Sequence, residues 1–328
     1  MSNSKFPFRR LPNDLCSKVL KTMGHHEIIA YSFSSNKSLS LVQSLGLPLK
    51  KVRIKMEERP RIYLHFRPIS VLFKLRMDGI VGGMTSLYQI PSDVDVTVQT
   101  IDNSRMFRRV TNSTTFTWSN QEKSIGEWIR YLCSIFRCAS YEARFDLFNT
   151  RFDLQSLRNT FPKLRRIAID CFDVEPSEED IQSFQNISRA LLPHAENVEL
   201  FLEGNISIQH IGMANLKQLE IEYPRNPNFD DLLTWNVERF ITDTEHFSFR
   251  DLNRFFKLWT KGSNPRLKYL AVDGEALEDW NVLLKGLKAE KVGKRKKYTI
   301  QNCVGIRARI RIRNDIDTFV TVKFIVLK

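Results

Sequence analysis

Leu164-Arg165-Arg166-Ile167-Ala168-Ile169 sets a rhythm that returns four times along the chain. The later copies are Val198-Glu199-Leu200-Phe201-Leu202, Leu216-Lys217-Gln218-Leu219-Glu220-Ile221, Val237-Glu238-Arg239-Phe240-Ile241 and Leu267-Lys268-Tyr269-Leu270-Ala271-Val272. Each run spaces its apolar residues as a short strand with one buried face does. Their starts lie 34, 18, 21 and 30 residues apart, which leaves room for one strand and one return segment per unit. Two of the return segments, 177–191 and 249–259, have helical periodicity. Ser177 and Ser248 stand where N-caps belong, and Glu178, Glu179 and Asp180 place carboxylates in a first turn, which suits the helix dipole.

This spacing is loosely that of leucine-rich repeats, in which stacked units share one core. The Asn expected along the ladder is mostly missing, so the array is degenerate. Beyond it, Ile306, Ala308, Ile310 and Ile312 alternate with Arg307, Arg309, Arg311 and Arg313, then a turn at 314–317 leads to a strand over 319–327. That is a hairpin with one apolar face and one row of arginines. Such a row can grip phosphates bidentately. It can equally be the charged face of an edge strand that resists aggregation, or find partners among the acids of mid-chain. The stretch 288–297 reads as a Lys-rich loop, and its Lys294-Arg295-Lys296-Lys297 as either a nuclear localisation signal or a solvated loop.

Upstream, alternating segments at 52–56, 62–66, 72–77 and 94–98 predict strands, separated by turn signals at Gly82-Gly83 and Pro91-Ser92. A helix follows over 124–138, with Ile125, Trp128, Ile129, Leu132 and Phe136 on one face. The first forty-eight residues predict three short helices. Leu11-Pro12-Asn13-Asp14 opens the first, Gly24 ends it, a second covers 26–33, Asn36 opens a third, and Gly46 with Pro48 stop it. So small a helical module leans on the rest of the chain or on a partner. The expected organisation is α+β: helices over 1–48, a β-rich segment over 49–123, and a repeat-like α/β domain over 124–328.

The 328 residues include 50 Lys+Arg and 37 Asp+Glu, a net charge of +13. Residues 1–76 contribute +11, 77–284 contribute −8 and 285–328 contribute +10. A basic excess invites an anionic partner, yet the acidic middle argues against one continuous nucleic-acid groove. Nucleic acid binding is therefore the alternative rather than the leading reading. No run reaches the length of a membrane span, and the N-terminus has no apolar leader. Five scattered cysteines (16, 133, 138, 171 and 303) suit a reducing intracellular compartment, cytoplasmic or nuclear. No phosphate loop, nucleophile elbow or metalloprotease helix is present. Cys133 and Cys138 lack a second pair at zinc spacing and read as buried helix cysteines. His25-His26-Glu27 reads as an inter-helix turn, and Asp243 with His246 as a structural pair. No catalytic residue, metal or cofactor is expected, so the chain is not read as an enzyme.

The N-terminal string Phe6-Pro7-Phe8-Arg9-Arg10-Leu11-Pro12-Asn13-Asp14-Leu15, then Val19-Leu20, Glu27-Ile28-Ile29 and Tyr31-Ser32-Phe33-Ser34-Ser35-Asn36-Lys37, resembles an F-box. Phe33 stands where that module often carries a larger aromatic. The rest resembles the type-2 F-box-associated domain of nematode F-box families. The likeness rests on Ile125-Gly126-Glu127-Trp128-Ile129, on Phe152-Asp153-Leu154-Gln155-Ser156-Leu157-Arg158, and on Leu252-Asn253-Arg254-Phe255-Phe256-Lys257-Leu258-Trp259 running into Gly262-Ser263-Asn264-Pro265-Arg266-Leu267. The resemblance implies a Skp adaptor as partner, and through it a cullin–RING ubiquitin ligase, with the later domain recruiting an unidentified protein substrate. It nominates Leu11, Pro12, Leu15, Val19, Leu20, Ile28 and Ile29 for adaptor binding, some of which must instead face the helical core.

Overall fold

The structure is a computed structural model. It describes residues 8, 11–66, 68–77, 84–102, 109–138, 141–147, 151–161, 164–171, 176–202, 206, 208, 211, 214–222, 229–275, 279–293, 295–314 and 319–327. The Gly82-Gly83 turn, Lys294, most of the 314–317 turn and the side chain of His246 lie outside them. The chain forms two compact units. One comprises Met1–Ala143 and Gln155–Lys163, the other Arg144–Leu154 and Leu164–Lys328. The sequence boundaries at 48 and 123 both fall inside the first.

The first unit opens with three helices, α1 (Asn13–Leu20), α2 (His25–Ser32) and α3 (Asn36–Ser44). Pro12 precedes α1, where a missing N–H costs nothing. Ser35, rather than Asn36, caps α3 by accepting from the Ser38 N–H. Five strands follow in an antiparallel meander: β1 (Lys51–Met56), β2 (Arg61–His65), β3 (Ile69–Leu75), then, after the two-residue β4 (Met84–Thr85), β5 (Asp93–Asp102) and β6 (Arg109–Ser119). Alternation sends Val52, Ile54, Ile62, Leu64, Val71, Phe73, Val94 and Val96 to one buried face. Strand β6 escaped the sequence reading because it is a Thr/Ser-rich edge whose residues from Val110 to Thr117 are exposed. Helix α4 (Ile125–Ile135) is closed by a capping box, in which Ser124 accepts from the Glu127 N–H and Glu127 accepts from the Ser124 N–H. Its face of Ile125, Trp128, Ile129 and Leu132 is buried.

After β7 (Tyr141–Asp146), β8 (Arg151–Phe152) and α5 (Leu154–Thr160), the second unit lays down the quoted rhythm as a parallel ladder. Its strands are β9 (Leu164–Cys171), β10 (Asn197–Leu202), β11 (Gln218–Glu222), β12 (Arg239–His246) and β13 (Tyr269–Glu275). The register stacks like on like: Ile167, Val198, Leu219, Phe240 and Leu270 stand abreast across the five strands. One row deeper, Ile169, Leu200, Ile221 and Val272 repeat the pattern with Thr242 between them. Each such side chain is buried, and each apolar one is worth roughly 1.5–3 kcal/mol. The predicted return helices are present: α6 (Glu178–Leu191), capped by Ser177, and Phe249–Thr260, capped by Ser248.

The chain then reverses. After β14 (Glu290–Lys291) come β15 (Lys297–Gln301), β16 (Arg307–Asn314) and β17 (Phe319–Val326), all antiparallel, with β17 pairing to β13. The predicted hairpin is β16 with β17, in register at Ile310 and Phe324. The ring of Phe324 meets Phe256 at 5.2 Å and Trp259 at 5.0 Å, so the Phe249–Thr260 helix covers its apolar side. Two sequence readings are corrected here. The stretch 288–297 read as loop contains the short strand Glu290–Lys291 and the start of β15 at Lys297, a strand fixed by Tyr298 and Ile300 pointing into the core. The arginine strand is not an edge, because β15 and β17 flank it on both sides. No helix among the described residues is long and apolar enough to cross a membrane.

Two of the residues that carry the F-box-associated likeness, Asn264 and Asn253, tie segments of this unit together. Asn264 sits at φ 52°, and its side-chain amide donates to the carbonyls of Leu232, Leu233 and Trp235 at 3.2–3.4 Å. Those are carbonyls at the end of the Phe229–Thr234 helix, which have no intrahelical partner of their own. The amide of Asn253 likewise donates to the carbonyls of Leu283 and Lys285 at 2.8 and 3.0 Å.

Candidate functional site: two interaction surfaces

The first surface belongs to the three N-terminal helices. Of the seven nominated residues, the fold separates two groups. Leu20, Ile28 and Ile29 are buried, at 0–2% exposure, and are core side chains of this chain rather than free to meet a partner. Pro12 is exposed, Leu11 is half-buried, and Leu15 and Val19 are 40% and 41% exposed. Positions 12, 15 and 19 recur at three and four, so they form one stripe along α1. Cys16 and Leu20, on the adjoining side of the helix, are buried. Periodicity alone could not sort the seven, since both groups satisfy it.

An aromatic joint ties the helical segment to α4. Phe33, at the end of α2, stacks on Tyr131 of α4 at 4.4 Å and meets Trp128 edge-on at 5.3 Å. The Ser32 hydroxyl and the Tyr131 hydroxyl hydrogen-bond at 2.9 Å. Lys123 Nζ lies 5.5 Å from the centre of the Tyr131 ring. At the other end of α2, His25 packs against Phe66 at 4.1 Å and His26 stacks on Phe116 at 4.9 Å. Burial, and then the neighbouring His26, hold the His25 imidazole below its ordinary pKa. So the pair read as a surface turn is the packed start of a helix.

The second surface is the outward face of the sheet in the second unit. Strand alternation places Glu199, Glu220, Glu222, Asp243 and Asp273 on this face of β10 to β13. Burial and then the neighbours Glu220, Glu199 and Asp243 raise the Glu222 carboxyl above its ordinary pKa. Burial and Asp273 do the same for Asp243. At one end, Arg144 pairs with Asp170 and lies over the Phe201 ring at 4.5 Å, and Arg166 reaches Glu199 at 3.7 Å. Across β15 to β17 the sign inverts. Lys297, Arg311 and Lys323 stand directly abreast, and Arg307, Arg309 and Arg313 complete the row. The opposite face of β16, made of Ala308, Ile310 and Ile312, is core.

Among the described residues no cluster of three or more His, Cys, Asp or Glu could hold a metal ion. The basic row had a visible sequence signal, the alternating arginines. The placement of β15 beside it was hidden, because the Lys run masked the alternation of Tyr298 and Ile300.

Comparison with known proteins follows from the same unit. Residues 207–272, which include β11, β12, the Phe249–Thr260 helix and the first four residues of β13, match the family model described as F-box associated. A Caenorhabditis elegans protein described as E3 ubiquitin-protein ligase hecw-1 is 22% identical over 327 residues, covering 86% of this chain and 24% of that protein. The chain thus spans about a quarter of that relative's length. Residues 207–272 of the second unit are thus similar to an F-box-associated region.

Proposed function

We propose that the chain is the substrate-recognition subunit of a Skp–cullin–F-box ubiquitin ligase. The observation that carries this reading is the F-box-associated match at 207–272, in a chain whose first helices present an apolar stripe to solvent. In this reading the helices over 1–48 form an F-box. Leu11, Pro12, Leu15 and Val19 dock on the Skp adaptor, while Leu20, Ile28 and Ile29 keep the stripe in shape. The second unit, read as a degenerate leucine-rich-repeat-like array, recruits the target protein. Ubiquitin transfer takes place on other subunits, so the chain has no active site, cofactor or metal of its own, and it works inside the cell, in the cytoplasm or the nucleus.

Helices that dock on an adaptor need exposed apolar side chains that a partner covers, and the α1 stripe is of that kind. The test is co-purification of the full chain with a Skp adaptor. Binding at micromolar concentration that is lost in the Leu15→Ser/Val19→Ser double variant supports the reading. No binding by the unaltered protein overturns it.

A further inference from the structure

The row of cations on β15 to β17 has no structural employment. Charged residues on an edge strand discourage aggregation, but β16 is an inner strand with a partner on each side. Acidic neighbours could neutralise the row, but among the described residues Arg307, Arg309, Arg311, Arg313, Lys297 and Lys323 form no ion pair shorter than 4 Å. Like charges directly opposite each other on neighbouring strands are destabilising, and here Lys297, Arg311 and Lys323 occupy three adjacent strands at one level. With strands about 4.8 Å apart, three positive charges share a span of about 10 Å. The guanidinium of Arg311 does most to hold the Lys297 ammonium below its ordinary pKa, the mark of an uncompensated positive field. The Nε groups of Arg309 and Arg311 are shielded from solvent and have no acceptor, although a buried donor ordinarily finds one.

We propose that this face is a docking site for a protein segment bearing a run of Asp or Glu side chains, laid across β15 to β17. Carboxylates would accept from the outer guanidinium N–H groups of Arg309 and Arg311 and relieve the repulsion within the row. The geometry favours a short acidic segment over nucleic acid. On the same face, Asp273 stands opposite Thr321 of β17, and Asp243, Glu222 and Glu220 follow on the next strands. A duplex carries a negative charge for about every 1.7 Å of its axis, so one long enough to hold the row would run onto these acids. A peptide can end where the sign changes. The inference rests on the substrate-recruiting role of the second unit and names the chemistry of what it recruits.

The experiment is fluorescence anisotropy on the full-length protein with a labelled decaglutamate peptide. Decalysine and a short duplex DNA are the comparison ligands, each measured at low and high salt. The expected result is salt-sensitive binding of decaglutamate, tighter than that of the DNA, and weakened by about tenfold or more in the Arg309→Gln/Arg311→Gln variant. The Arg307→Gln/Arg313→Gln variant, altered only at the exposed ends of the row, should lose affinity in the same direction. A merely structural row predicts that removing its inner arginines lowers the melting temperature. A docking row predicts no loss of thermal stability, because repulsion is relieved. Unchanged affinity in both variants, tighter binding of DNA than of decaglutamate, equal binding of decalysine, or a lowered melting temperature in Arg309→Gln/Arg311→Gln would each overturn the proposal. The adaptor co-purification reports on the N-terminal helices alone, so failure of either result leaves the other readable.

Discussion

Cys133 and Cys138 occupy the two positions of a helix-terminating turn whose side chains meet. The Cys138 N–H donates to the Cys133 carbonyl at 3.0 Å, the Arg137 N–H to the Ser134 carbonyl at 3.2 Å, and Arg137 sits at φ 48°. That is a Schellman closure of α4, which brings its first and last residues together. The 3.0 Å hydrogen bond, with about 1.5 Å from N to one Cα and about 2.4 Å from O to the other, caps the Cα separation at about 6.9 Å. Disulfides need less than about 7 Å. The Cys133 thiol donates to the Cys138 sulfur, which raises the pKa of Cys133 and lowers that of Cys138. Mild hydrogen peroxide should therefore oxidise Cys138 to a sulfenic acid, releasing water. Cys133 then displaces hydroxide from that sulfur, giving a disulfide and a second water. Peptide mass spectrometry should find the 133–138 crosslink, lost in Cys133→Ser. Oxidation confined to the exposed Cys303 would refute this.

Phe33 is the keystone of the joint between α2 and α4. Replacing it with Ala removes contacts to Tyr131, Trp128 and Trp118. The side chain is only half-buried, so the expected loss is about 2–3 kcal/mol, below the range for a fully buried Phe. Urea denaturation followed by tryptophan fluorescence measures it.

The division of the seven nominated residues makes opposite predictions for neighbouring positions. Leu15→Ser/Val19→Ser should shift stability by no more than about 0.5 kcal/mol while abolishing adaptor binding. Leu20→Ala should cost about 2–5 kcal/mol, since Leu20 is fully buried. Paired denaturation and binding curves separate the two.

Acid should weaken the first unit through His25. Its pKa is lowered from 6.5 in the folded chain, so the unfolded chain binds more protons as pH falls. The stabilising effect is complete above about pH 6.5 and is lost as the pH drops below that value toward the folded pKa. The position at the start of α2 adds to this, because a cation is disfavoured at a helix N-terminus. His25→Gln should flatten the fall in urea midpoint between about pH 7.5 and about pH 5.5.

Asn264→Ala removes an amide whose two N–H groups are shared among three carbonyls and leaves a β-carbon in the left-handed region. A loss of about 2–3 kcal/mol is expected. Asn264→Gly keeps the backbone freedom and should lose less. Thermal melts of the two variants against the parent protein check the order.

The sequence discloses faces better than it discloses what covers them. The ladder was readable because Ile167, Val198, Leu219, Phe240 and Leu270 repeat a local pattern that the parallel register preserves. The helix starts at Ser124, Ser177 and Ser248 were readable because capping is decided within four residues. Strand β6 was not, since a polar edge strand has no buried face to betray it. The fate of Leu15 against Leu20 was not either, because a helix with apolar residues on two sides leaves the choice to tertiary packing. For Arg309 and Arg311 the alternation gave the strand, but only the placement of β15 showed that the row lies inside the sheet.

The reversal of the chain after β13 also bears on how such a molecule can change in size. A stack of parallel units offers its last strand as a template for one more copy, whether added by duplication or borrowed from a neighbouring molecule. Here β17 occupies that place in the opposite direction, and β16, β15 and the two exposed residues of β14 follow it outward. Growth at that end is closed. New units can enter only between β9 and β13, where each insertion must match the register on both of its sides.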